Sequence, residues 1–277
     1  MMRWLLSFAL AWCAAAHATA DRLVTVGGAV TEIVHALGAS DRIVATDTTS
    51  TWPPSLQHLP RIGYQRTLAA EGVLSVRPTR LIATADAGPP AVLTQLRGAG
   101  VNIVQLPQTH SAEAVAEAIR RVADALGERE AGEKLLTSYR REWEASQRAI
   151  AAQPTHPRAL FILDHGGGSP MVAGDDTAAS AMLRYAGATN VLAGRFSGYR
   201  PLTAEAALAA DPEVIVTTDE AVQAAGGRTA FLARPALAAL PAARAGRLVS
   251  LDALRMLGFG PRLPEAVSEL ARKMRTP

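Results

Sequence analysis

The chain has 277 residues, 49% of them hydrophobic and 5% aromatic, with 28 Lys+Arg against 25 Asp+Glu. That length admits one large domain or two of ordinary size. A formal charge of +3, with no basic run interleaved with aromatics, excludes a nucleic-acid binder.

Residues 1–20 read as a secretory signal peptide: Arg3 is the charged n-region, an apolar run follows from Trp4, and Ala18-Thr19-Ala20 is the cleavage site. The apolar run is shorter than the ~20 residues a membrane span needs. Cys13 follows Trp12, too large a residue for a lipoprotein site, so the expected mature chain starts at Asp21 and is exported without an anchor. Cleavage removes the one cysteine, which leaves neither disulfides nor thiolate metal ligands. It also removes Arg3, so 27 positive against 25 negative residues give the mature chain +2.

Residues 23–26 form a short β-branched strand, Gly27-Gly28 a turn, and residues 31–37 a helix ended by Gly38. Strands are expected over 43–45, 81–84 and 101–106. Between them lie the Pro-punctuated loop TTSTWPPSLQHLP, a short helix begun by Glu71 and a helix over 89–98. Strands alternating with helices predict a parallel α/β lobe over 21–110.

From 111 to 153 apolar residues recur at helical spacing, among them Val115, Ile119, Val122, Leu136, Tyr139 and Trp143. This segment reads as a linking helix, a strut between lobes, with Gly127 and Gly132 marking a break or bend. The alternation resumes over 154–277, with strands at 159–163, 214–217 and 248–251, a HGGG turn beginning at His165, and a helix over 178–185. Glu71 stands seven residues before Pro78 and Glu205 seven before Pro212, and EIVHALGAS at 32–40 is echoed by AMLRYAGAT at 181–189. Both correspondences suggest a duplicated lobe. The fold class expected is therefore α/β, two Rossmann-like lobes joined by one long helix, with a small-molecule cleft between them.

In RIGYQRTLAAEG, Gly63 turns the chain and sets Tyr64 at a loop edge between Arg61 and Arg66. A phenolate oxygen is a ligand for ferric iron, and a neighbouring guanidinium favours that ionised form. The same arginines pair well with carboxylates. Glu71 and Glu205 each open a helix, where a carboxylate suits the macrodipole, and as a matched pair they also suit docking on a two-fold partner. A cleft hydrolase would need a nucleophile and a base, and no G-x-S-x-G occurs.

The run RIGYQRTLAAEGVLSVRPTRLIATADAGPPAVLTQLRGAGVNIVQLP resembles the periplasmic haem-binding proteins of bacterial haem-uptake ABC transporters. GGAVTEIVHALGASDRIVATDTTSTWPP, FILDHGGGSPMVAGDDTAASAMLRYAGATNV, NVLAGRFSGYRPLTAEAALAADPEVIVTT and LRMLGFGPRLPEAV extend the likeness over the mature chain. The wider class includes vitamin B12 and ferric-siderophore carriers, which share the lobe-and-glutamate pattern.

The resemblance implies a non-enzymatic carrier in the periplasm that binds haem in the interlobe cleft. It implies Tyr64 as the axial ligand, Arg66 as a phenolate or propionate partner, and Glu71 and Glu205 as contacts to the inner-membrane permease dimer with its ATPase. An outer-membrane haem receptor would stand upstream. Further expected haem contacts are Arg61, His165, Tyr199 and Arg228. The chain departs from the family in having AAEG where a serine often precedes the glutamate, which weakens the cap and leaves the carboxylate. Trp52 reads as flanking the macrocycle or pinning its loop, and Met256 as packing. His35, His58, His110 and His156 show no metal-ligand spacing and read as ordinary histidines.

Overall fold

The structure is a computed structural model that describes residues 21–107, 109–164 and 170–276. The expected signal peptide, Cys13, and His165 with its glycine turn lie outside the described residues. Among the described residues no helix is long and apolar enough to cross a membrane.

The first lobe runs β1 (Leu23–Val26), α1 (Gly28–Ala36), β2 (Ile43–Thr46), α2 (Ala70–Ser75), β3 (Arg80–Ala83), α3 (Pro90–Gly98) and β4 (Asn102–Gln105). Its four strands lie in the order β2-β1-β3-β4, all parallel, with Leu81 of β3 opposite Val24 and Ile103. Val24, Val26, Leu81 and Ala83 point to one face of the sheet, against Val73 and Leu93 of the short helices. Leu23 and Ile82 point to the other, towards Val30, Ile33 and Ile119.

The expected linking segment is two helices, α4 (Ala112–Leu126) and α5 (Arg129–Ala151). Ser111 caps α4 by accepting from the Ala114 N–H at 3.1 Å, and Gly127 ends it at φ 74°, a conformation that favours glycine. The two helices pack closely: a Cβ on Gly132 would lie 2.5 Å from the Ala123 Cβ, and the Tyr139 hydroxyl donates to Ala112 O at 3.1 Å. Helix α4 packs on α1, so α5 alone is the long connecting helix. At 23 residues it spans roughly 35 Å by the ordinary helical rise.

The second lobe continues with β5 (Arg158–Leu163), β6 (Met171–Ala173), α6 (Ala178–Tyr185), β7 (Thr189–Asn190), β8 (Tyr199–Pro201), α7 (Ala204–Ala210) and β9 (Val214–Thr218). It ends with α8 (Asp219–Ala224), α9 (Arg228–Leu232), α10 (Pro241–Arg244), β10 (Leu248–Leu251), α11 (Ala253–Leu257) and α12 (Leu263–Arg275). The sheet order is β10-β9-β5-β6-β8, with β7 beside β5. Strands β6 and β8 run antiparallel to their neighbours, unlike the all-parallel alternation that the sequence predicts. They are three residues each, too short for a period-two pattern to show in sequence.

One hydrophobic core is common to both lobes. It takes in Val30 and Ile33 of α1, Ile119 of α4, Tyr139 of α5, Phe161 of β5, Met182 of α6, Met256 of α11 and Leu270 of α12. Burying each large apolar side chain of this set contributes ~1.5–3 kcal/mol, so the lobes hold each other as well as themselves. Met256 is fully buried, as its reading as packing requires.

Candidate functional site

In parallel α/β lobes the strand C-termini open onto the ligand crevice. Tyr64 is placed at that end of the first lobe by its neighbours in sequence. Ile62 is buried, its N–H donates to Thr46 O at 3.0 Å, and Gly63 at φ 99° turns the chain so that its carbonyl accepts from Thr48 N–H. Leu68 is buried on the other side. Between these anchors the Tyr64 ring is left 41% exposed, one of two exposed large hydrophobic side chains among the described residues.

Arg66 stands beside it. Its Nε donates to Asp86 Oδ2 at 2.7 Å, and Thr84 Oγ1 donates to the other carboxylate oxygen at 2.8 Å. The Asp86 hydrogen bond raises the Arg66 pKa, against the opposing effect of burial, while the charges of Tyr64, Asp86 and Tyr199 add to the rise. Tyr199 belongs to β8 of the second lobe, so the Arg66 guanidinium lies within electrostatic reach of a tyrosine from each lobe. Burial pushes the Tyr199 phenol up, and hydrogen bonds with the Ala179 backbone and Thr177, with the Arg66 charge, pull against that rise.

Arg66 feels the charges of Tyr64 and Tyr199, and two other residues expected at the ligand are hydrogen-bonded within the protein. Arg61 braces the loop before it: Nη1 donates at 2.8 Å to Thr46 Oγ1, Asp47 O and Ser50 O, and Nη2 donates to Gln57. Its Nη1 is committed to loop structure. Arg228 donates to Gly246 O at 2.7 Å and lines a depression with Val214 and Leu248, the first residues of β9 and β10.

Trp52 faces neither crevice wall alone. Its ring meets His35 edge-on at 5.0 Å and lies beneath the Arg262 guanidinium at 4.4 Å, which pins its loop to the second lobe. Sequence reasoning missed Asp86 and Arg234. Asp86 lies three residues past the end of β3, where a crevice residue is expected, and Arg234 pairs with Asp164, the residue after β5. A carboxylate just beyond a strand end was the signal available for both.

Glu71 and Glu205 are exposed in the first turns of α2 and α7, and among the described residues neither carboxylate has an ion-pair partner. Thr203 caps α7 by accepting from Ala206 N–H at 3.1 Å, whereas Ala69 gives α2 no side-chain cap.

Residues 23–254 match the family described as Periplasmic binding protein. Among solved structures, the chain is 48% identical to one described as the periplasmic heme-binding protein BhuT in complex with two hemes. The match covers 92% of this chain and 97% of that one, at a TM-score of 0.86. The apo periplasmic heme-binding protein RhuT from Roseiflexus sp. RS-1 is 37% identical over 92% of this chain and 98% of its own, at a TM-score of 0.89. The vitamin B12-binding protein of Vibrio cholerae is 26% identical over 205 residues, 73% of this chain and 72% of that protein. With a match over 23–254 and two α/β lobes around a shared core, the chain belongs to the periplasmic binding protein family.

Proposed function

We propose that this protein is the haem carrier of an uptake ABC transporter, working in the periplasm as a binder and not as an enzyme. The observation that carries the reading is the exposed Tyr64 phenol beside an arginine that Asp86 holds in place. The haem-binding neighbours at 48% and 37% identity support it over the B12-binding relatives at 26%. Ferric iron of the bound haem would take the Tyr64 oxygen, which the exposed ring presents to the crevice. The donors of Arg66 not committed to Asp86 suit a propionate.

On this reading Tyr199 borders the ligand from the second lobe, and His165, next in sequence after Asp164, is a further contact. Glu71 and Glu205 dock on basic residues of a permease dimer whose ATPase drives import. The mature protein begins at Asp21, after export. Its units are the lobes 21–110 and 154–277 with 111–153 between them.

Titration of the full chain with hemin, cyanocobalamin and a ferric siderophore tests this. A saturable change in the hemin absorption spectrum with a tyrosinate charge-transfer band is expected. Saturable binding of cyanocobalamin with none of hemin would move the protein to the B12 carriers.

A further inference from the structure

The second lobe has a cavity of about 380 Å³, a volume that suits a small solute. Arg228, Arg247, Arg272 and Lys273 line it, over Val214 and Leu248, the first residues of β9 and β10. These are the N-terminal ends of two parallel strands, whereas the ligand crevice of such a lobe opens at the C-terminal ends. The cavity is therefore a second place for a ligand, separate from the one that Tyr64 serves.

Its charge is of one sign. Among the described residues no Asp or Glu lines it. Lys273 is balanced by Glu269, whose Oε1 lies 2.9 Å from its Nζ, but the three arginines have no ion-pair partner among the described residues. Two of them are held in position by main-chain oxygens. Arg228 Nη2 donates to Gly246 O at 2.7 Å, and Arg247 donates through Nη1 to Thr276 O at 2.8 Å and through Nη2 to Met274 O at 3.0 Å. Such bonds complement the carbonyl ends of α10 and α12, which accounts for where these side chains lie. They do not neutralise them. Each guanidinium has five N–H donors, so donors remain on both, already oriented. Like charges gathered around one cavity repel one another, and an anion seated among them relieves that repulsion.

The arginine fork fits a carboxylate or a phosphate oxygen pair. Three unbalanced charges are matched better by a phosphate, which carries about two negative charges at neutral pH, than by the single charge of a carboxylate. We propose that this cavity binds a phosphate or pyrophosphate group. The inference stands apart from the haem reading. A free solute and an anionic lipid headgroup both carry that chemistry, and the experiment separates them.

The full chain is titrated calorimetrically with sodium pyrophosphate at an ionic strength held constant with sodium chloride. Its flotation with vesicles of phosphatidylcholine, with and without phosphatidylglycerol, is measured in parallel. Arg272 is the residue to replace, since its side chain is exposed and makes no hydrogen bond or ion pair among the described residues, so the fold does not depend on it. Arg129→Gln removes one exposed positive charge from α5 and serves as the comparison. The expected result is saturable pyrophosphate binding that Arg272→Gln weakens about tenfold or more, that Arg272→Glu abolishes and that Arg129→Gln leaves as it was. Flotation that needs phosphatidylglycerol and is lost in the Arg272 variants, without pyrophosphate binding, upholds the site and assigns its phosphate to a lipid. Absence of both, or equal binding by the parent and both Arg272 variants, overturns the inference. Hemin titration of Arg272→Gln should match the parent, and none of these outcomes bears on the haem reading.

Discussion

Glu32 of α1 accepts a hydrogen bond from Arg262 Nε, at the start of α12, across 3.0 Å, so an ion pair whose carboxylate residue is 2% exposed joins the two lobes. Arg262 also covers the Trp52 ring at 4.4 Å, and a Cβ on Gly260 would lie 2.5 Å from Glu32 Oε2. The carboxylate is thereby enclosed by both lobes. Removing the arginine leaves a buried charge without its partner, so Arg262→Ala should destabilise the fold by about 3–5 kcal/mol in urea unfolding.

The same pair sets a pH dependence. Burial raises the Glu32 pKa, and the Arg262 hydrogen bond and charge only partly offset it. A carboxyl with a raised folded pKa binds more protons folded than unfolded, so its contribution to stability falls as pH rises from the ordinary carboxyl value through the raised one. Glu32→Gln should flatten that part of the curve of melting temperature against pH. A variant curve parallel to the parent would show that Glu32 does not titrate this way.

Tyr64→Phe keeps the ring and removes the phenol oxygen. Because the side chain is 41% exposed, the melting temperature should change by less than the equivalent of about 0.5 kcal/mol. The tyrosinate band of the hemin complex should disappear. An unaltered hemin spectrum would remove Tyr64 from the iron.

Glu71 and Glu205 contact nothing charged among the described residues, so replacing both with Ala should leave hemin affinity unchanged and stop import into vesicles carrying the permease. Persistent import would end their docking role.

Helices α4 and α5 meet where Gly132 faces Ala123, with room for no further carbon, since a Cβ there would stand only 2.5 Å from its neighbour's. Gly132→Val should cost about 1–3 kcal/mol from overpacking, measurable by thermal unfolding, with Gly127→Ala a separate loss because its φ of 74° suits glycine.

Much of the first lobe was legible because its strands are apolar on both faces and two of its helices, α1 and α3, end at glycines. Residues 23–26, 178–185 and 248–251 fall as expected, and the helix expected over 31–37 starts three residues earlier at Gly28. The other strands and the helix over 89–98 shift by one residue at one or both ends. Tyr64 was legible from Gly63 beside it. Arg61 and Arg66 look equivalent in RIGYQR, and only the folded loop separates them. Arg61 meets the carbonyls of residues 47 and 50, whereas Arg66 meets a carboxylate twenty positions away.

The sequence by itself determined the two-lobe α/β pattern, the matched glutamates and the tyrosine at a turn, because hydrophobic period, capping and glycine turns act over a few residues. Tertiary structure alone decided that α4 folds back on α5, that Arg228 meets the Gly246 carbonyl, and that Glu32 meets Arg262 from 230 positions away. Those outcomes depend on which distant groups packing brings within hydrogen-bond reach, and no local pattern encodes that distance.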